Sequence, residues 1–372
     1  MVLVRGQDAL SVCQVGEEST WGTAATTFYT VPLTLPGESF VLKRDQFQQA
    51  REFGGIGARE AIEYGRSSVE GSLTVTPRYE GRWFHILMAH ALWSETVVVD
   101  THVDGTTITA PDSGNLHIYA PSATPPVGMT FRIWKGGPGP VGSSTWDIFV
   151  GCLVTSFTIE QPEDDILRFT FNWVGKSVST ATASGSPAAI AGVQLFGARH
   201  ASTALGGYIK TGATLTALNA RSWQLTFDRK LVADPAFLNN PDQLDKPGVT
   251  DIREVRLRIN SLLEQDYNAA NKPATEYKAG TQSKFDALYS NAVAVGNKVY
   301  AVRFEMPAIK WTAVDNALKD PAVPPTQFEA TAILGAFDAT SGLPDSLTGD
   351  FRILTTVKTT DEPSTDGKFS SL

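Results

Sequence analysis

The chain has 372 residues, which at about 150 residues per domain points to two or three domains. Hydrophobic residues at 42% and aromatics at 10% supply a packed core and exclude disorder for most of the chain. The formal charge of -8 argues against a basic nucleic-acid groove and against a membrane-surface binder. Two cysteines, Cys13 and Cys152, are too few for a disulfide framework or a cysteine metal site. No stretch approaches the ~20 apolar residues of a membrane span. Residues 1–14 hold no apolar run of signal-peptide length, so synthesis in cytoplasm is the expectation.

Strand signals dominate in chain order. Residues 39–43 read as a strand, followed at 45–67 by a long Gly-containing loop. Val69, Gly71, Leu73 and Val75 then alternate with Ser68, Glu70, Ser72 and Thr74, the period of a strand with one apolar face. Residues 83–93 are nearly all apolar and read as a helix. An arm at 97–127 carries strand-like pieces, and a Gly/Pro loop follows at 135–144. Residues 157–161 and 166–175 predict a hairpin turning at Glu163-Asp164-Asp165, with Leu167, Phe169, Phe171 and Trp173 on the apolar face. The Ser/Thr/Ala/Gly/Pro run at 177–190 has linker composition. Beyond it come a strand at 222–225, a second long loop at 228–251, and Val255, Leu257 and Ile259 alternating with polar neighbours. Phe285, Leu288, Tyr289 and Ala292 stand at i, i+3, i+4 and i+7, which predicts a second helix over 281–292. Residues 350–358 predict one further strand and 359–372 a polar tail.

This order of elements recurs. Phe40 matches Trp223 at a shift of 183, and Leu73 and Val75 match Leu257 and Ile259 at 184. Leu87 matches Leu288 at 201, Phe131 matches Val302 at 171, and Phe169 matches Ala330 at 161. Each change of shift falls at a visible insertion. A duplicated domain is therefore expected, with a first unit over 1–180 (insertion arm about 97–127), a second over 191–345, and a C-terminal strand and tail over 346–372.

Sites for chemistry are hard to assemble from these residues. The histidines are His85, His90, His102, His117 and His200. His85 and His90 sit about 140° apart around one helix, and no carboxylate stands at helical zinc spacing. Core or surface histidines are the expectation, with no metal and no cofactor. Gly136-Gly137-Pro138-Gly139-Pro140 has prolines where a phosphate loop needs donor amides, and Gly54-Gly55-Ile56-Gly57 reads as an inter-strand loop before a helical 58–64. Catalytic residues are not expected, so the chain is not read as an enzyme.

One half of the chain resembles a known family. Its features are Gly-Glu-Glu-Ser-Thr-Trp-Gly-Thr at 16–23, the strand at 39–43, a long loop, Gly-Ser-Leu-Thr-Val-Thr-Pro at 71–77, and a helix opening after Tyr79-Glu80-Gly81. This pattern is similar to the tail tube proteins of long-tailed bacteriophages, especially those with non-contractile tails. The resemblance implies a mainly β chain: two tandem antiparallel β-sandwich domains, each with a flanking helix, whose lumen-lining sheets close into a ring barrel. It further implies a 24-stranded barrel built from six domains, hence a homotrimer of duplicated chains in stacked rings. Implied partners are a tape measure protein and tail terminator or tip proteins, with double-stranded DNA passing unbound and no membrane. At ~4.8 Å per strand, 24 strands enclose a backbone diameter of about 37 Å before tilt. The lumen candidates are then Ser68, Glu70, Ser72 and Thr74 in one half, and Glu254, Arg256, Arg258 and Asn260 in the other, where nearby acids must offset the arginines. Phe47, Phe53, Ile56, Phe237 and Leu238 in the long loops are candidates for contact with the neighbouring ring. A hub, terminator or distal-tail ring protein and a two-domain carbohydrate-binding sandwich are the rival readings.

Overall fold

A computed structural model of the chain describes residues 12–32, 39–53, 56–77, 82–135, 145–182, 196–231, 246–262, 272–316, 325–337 and 348–358. The first half holds β1 (Val12–Glu17), β2 (Tyr29–Val31), β3 (Ser39–Phe53), β4 (Ile56–Val75), α1 (Arg82–Leu92), β5 (Thr96–Val99), β6 (Gly114–Tyr119), β7 (Met129–Lys135), β8 (Thr145–Gln161), β9 (Arg168–Gly175) and β10 (Ser177–Thr182). After two short 3-10 turns come β11 (Tyr208–Gly212), β12 (Thr216–Ala217), β13 (Ala220–Asp228), β14 (Glu254–Leu262), α2 (Pro273–Ala279), β15 (Ser283–Val295), β16 (Lys298–Asn316), β17 (Pro325–Ala332), β18 (Gly335–Ala336), β19 (Thr348–Gly349) and β20 (Arg352–Lys358).

Two long strands organise the sheets. The first part of β8 lies between β7 and β10, in a set ordered β2–β1–β7–β8–β10. Past a bulge at 154–156, β8 moves into a second sheet, where β9 and β13 flank it. β16 makes the same passage past a bulge at 311–313, from β15 and β20 to β17. The described pairings therefore run β12–β11–β15–β16–β20–β6–β5 in one set and β3–β4–β9–β8–β13–β14–β17–β16 in the other. All are antiparallel.

Alternation decides which face of the eight-stranded sheet is buried. Val69, Leu73, Val75, Phe169, Phe171 and Trp173 are inside, as are Phe157, Ile159, Leu225, Phe227, Leu257 and Ile259, each no more than 1% exposed. They join one apolar cluster that spans both halves of the chain. α1 fills this core with ten consecutive buried residues, Trp83 to Leu92, which is why its sequence is apolar on every side. The arm folds onto the second half: β6 pairs with β20, and the backbone of Val103 accepts from Arg303 and donates to Thr356.

Three expectations are corrected. Residues 281–292 are not helical; 283–292 lie in β15, buried continuously from Phe285 to Asn291. Neighbours cover both faces of this strand, so its apolar residues carry no period of two and satisfy helical spacing by coincidence. The second helix is instead α2, opened by Pro273 at its first turn and ended by Gly280 in the left-handed region (φ 65°). Residues 45–53 and 56–67 are not a loop, and 58–64 are not helical; β3 and β4 pair from Ser39↔Ser72 out to Phe53↔Ile56. Finally, 177–182 is the strand β10 and not linker, whereas 183–195 lie outside the described residues. The strand expected at 350–358 is present as β20.

Candidate assembly surface

The outer face of the eight-stranded sheet is mostly polar, with Val41 at the β3 edge and Val174 on β9 as apolar members. Glu70 on β4 stands beside Val174 on β9, while Ser72 and Thr74 stand beside Asn172 and Thr170, then Ser156 and Thr158 on β8. Across the junction between halves, Thr158 faces Thr226 of β13, which faces Arg256 of β14 and then Thr331 of β17. All eight sequence-predicted residues lie on this one face: Ser68, Glu70, Ser72 and Thr74 on one strand, Glu254, Arg256, Arg258 and Asn260 on the other.

Its arginines are offset by acids. Arg256 Nε meets Glu254 Oε1 at 2.6 Å, and both Arg258 Nε and Nη2 meet Glu329 Oε1, at 3.0 and 2.6 Å. Lys230 Nζ reaches Asp228 Oδ2 at 2.6 Å. The Glu254 hydrogen bond pushes the Arg256 pKa further up. Burial works to raise the Asp228 carboxyl, but hydrogen bonds from Lys230 outweigh it and hold the pKa below its ordinary value. Hydroxyls fill much of the remainder, with Thr74 Oγ1 and Thr170 Oγ1 3.0 Å apart and Asn260 Nδ2 donating to Ser222 Oγ at 2.8 Å. Among the described residues, both β14 arginines of this face carry an acidic partner.

The chain's own halves meet inside this sheet. β8 and β13 pair through Phe157↔Phe227, Ile159↔Leu225 and Gln161↔Trp223, and the rings of Phe157 and Phe227 stack at 5.1 Å. At the sheet's outer ends stand β3 and the second part of β16, each with strand partners on one side among the described residues. β3 carries exposed apolar side chains there, with Val41 at 43% and Leu42 at 52%. Unpaired, apolar strand edges are templates for another strand.

The family model for phage tail tube protein matches residues 9–300. The chain belongs to the phage tail tube protein family. That family is a structural one, which places the chain in the virion tail as a product of host cytoplasm. No curated protein matches it.

Family membership gives the β3–β4 hairpin its interest. Beyond the last contact with β9, at Val69↔Gly175, it continues through residues 43–53 of β3 and 56–68 of β4, an extension of about 35 Å. Phe47 pairs with Glu63, and Phe53 with Ile56 near its tip. Phe237 and Leu238 lie outside the described residues. Sequence reasoning missed the junction β8–β13 and the edge residues Val41 and Leu42. The available signal was Phe157, Phe227 and their alternating neighbours on β8 and β13.

Proposed function

We propose that the chain is the major tail tube subunit, a duplicated tube domain whose three copies form one ring. The supporting observation is the β8–β13 junction, where the edge of one four-stranded set pairs with the edge of the next. The same strand order on both sides (β3–β4–β9–β8, then β13–β14–β17–β16) leaves β16 and β3 at the ends, in the relation that β8 and β13 already hold. Pairing β16 of one copy with β3 of the next repeats the junction, and three copies of eight strands close a 24-stranded barrel. The exposed Val41 and Leu42 then become interface residues.

In this ring the polar face lines the lumen, about 37 Å across at the backbone before tilt. Its β14 arginines are neutralised locally, so they offer little free positive charge to displace counterions from DNA phosphates and hold the duplex. The β3–β4 hairpins, with Phe47, Phe53 and Ile56, and the 228–251 segment, with Phe237 and Leu238, reach the adjacent ring. Tape measure and terminator or tip proteins are the remaining tail partners. Electron microscopy of the purified protein with rotational averaging tests the proposal. Stacked rings with three copies each are expected; six copies per ring, or monomers at high concentration, would overturn it.

A further inference from the structure

The fold joins residues that the sequence keeps apart. His85 lies on α1, Glu95 in the turn leaving that helix, and His117 and Tyr119 on β6. Thr96↔Ile118 is the first pair between β5 and β6, which sets Glu95 beside the two residues flanking Ile118. Two hydrogen bonds between Ser94 and Ala120, at 2.5 and 3.2 Å, fix the same corner. On β6, Leu116 and Ile118 face an apolar cluster with Leu288 and Leu354. The alternate residues His117 and Tyr119 therefore point toward α1.

One donor atom from each of His85, Glu95 and His117 lies within 4.8 Å of the others. His117 Nδ1 stands 2.9 Å from Glu95 Oε1, and His85 Nδ1 stands 3.7 Å from the same oxygen. The Tyr119 hydroxyl is 3.2 Å from Glu95 Oε1 and also hydrogen-bonds His85 Nδ1. The side chains of His85, Glu95 and His117 are 2–3% exposed, and Tyr119 is fully buried. A tetrahedron with metal–ligand distances near 2.05 Å has edges of about 3.4 Å, so these spacings bracket those of a four-coordinate ion.

We propose that His85, Glu95 and His117, with Tyr119 as the fourth ligand, form a structural site for a divalent transition metal, zinc first. Two imidazoles with a carboxylate and a phenol are borderline-to-hard donors, which suit Zn²⁺ and disfavour a soft ion. Arg82 Nη1 donates to the other carboxylate oxygen, Glu95 Oε2, at 3.3 Å, and Glu17 lies 3.5 Å from Arg82. This second shell orients the carboxylate. It also balances charge: Arg82 is matched by Glu17, and Zn²⁺ by Glu95 and a Tyr119 phenolate, whose proton leaves on binding. The ion would tie α1 to β6, and through β6–β20 to the second half of the chain.

Metal analysis of the untagged full-length protein tests the site, after loading with Zn²⁺ and exhaustive dialysis. Near-stoichiometric zinc is expected, together with a melting temperature that falls on chelation and recovers when zinc is restored. Substituted Co²⁺ should give the intense visible absorption of a tetrahedral centre. Glu95→Gln, His117→Gln and the isosteric Tyr119→Phe should each lose that spectrum while near-UV circular dichroism stays native. His102→Gln, whose ring pairs with Asp104 away from the site, should retain it. No retained metal and no cobalt spectrum in the unmodified protein would overturn the proposal, whatever the variants do. So would retention of full zinc content by a folded His117→Gln variant.

Discussion

Phe157→Ala and Thr158→Ala together test whether the eight-stranded sheet has one core face and one solvent face. The two residues are adjacent on β8, in register with Phe227 and Thr226 of the second half. Phe157 is 0% exposed and packs against Phe227, Phe171 and Phe351, with ring centroids 5.1, 6.0 and 6.4 Å away. Truncating a buried phenylalanine costs about 3–5 kcal/mol through lost burial and the cavity left behind. The aromatic pairs place this site toward the upper end. Thr158 is half-buried on the polar face, where substitution to alanine should stay within about 0.5 kcal/mol. Urea unfolding followed by tryptophan fluorescence reads both, and a midpoint shift at constant m is the expected signature. Equal losses for the two variants, or less than about 1 kcal/mol for Phe157→Ala, would refute the face assignment.

Asp286→Asn should destabilise by less than the about 3–5 kcal/mol of a stranded buried charge, because Arg303, which meets Asp286 at 3.0 and 2.8 Å, keeps Glu305 Oε1 at 2.8 Å; calorimetry checks it. His90 is held neutral by burial, with nearby Arg82 and Lys246 adding to the effect, and its pKa is pushed down to about 3. The unfolded chain therefore binds the proton more readily between about pH 6.5 and pH 3, and stability falls across that window at up to about 1.4 kcal/mol per pH unit as pH drops. A His90→Leu variant should show a flatter melting-temperature profile from pH 7 to 4, and an unchanged slope would count against this. At Gly71 an added Cβ would lie 2.0 Å from the Ser39 carbonyl oxygen and 2.5 Å from the Trp173 ring, so Gly71→Val should displace β3 from β4. Folded protein without tubes in negative stain is the expected outcome, and normal tubes would contradict it.

What was legible in the sequence follows from how each element is buried. β4, β9 and β14 have one face in the core, so their alternation is plain, and the apolar run of α1 announces a helix embedded in the interior. β15 is covered on both faces, which erases its period and let Phe285, Leu288 and Tyr289 read as a helix. The outer part of the β3–β4 hairpin is rich in Gln, Glu and Arg and has no β9 beside it, so nothing imposes an apolar alternation there. α2 is short, yet Pro273 and Gly280 bracket it with ordinary start and stop signals. The His85–Glu95–His117 cluster has no local spacing to betray it, because a helix, a turn and a strand supply one ligand each. Only the pairing of β5 with β6 brings Glu95 level with Tyr119 and within reach of His117.

Placing two tube units in one chain divides the proposed ring into unlike junctions. The β8–β13 junction is formed within the chain, so its local concentration is set by the connection between residues 161 and 223 and not by the protein concentration. It can therefore be sealed during folding, and the stacked Phe157 and Phe227 rings are fully inside the common core. The β16–β3 junction of the proposal is intermolecular and must wait for assembly. Its exposed edge keeps Val41 and Leu42 but places Lys310 and Thr312 on the exposed part of β16, so the free protomer presents one apolar edge and one polar edge. Two β3 edges could cover each other's Val41 and Leu42, but only unlike edges repeat the strand relation of the junction already present in the chain. That repetition favours head-to-tail closure into a ring over edge-to-edge aggregation of identical strands.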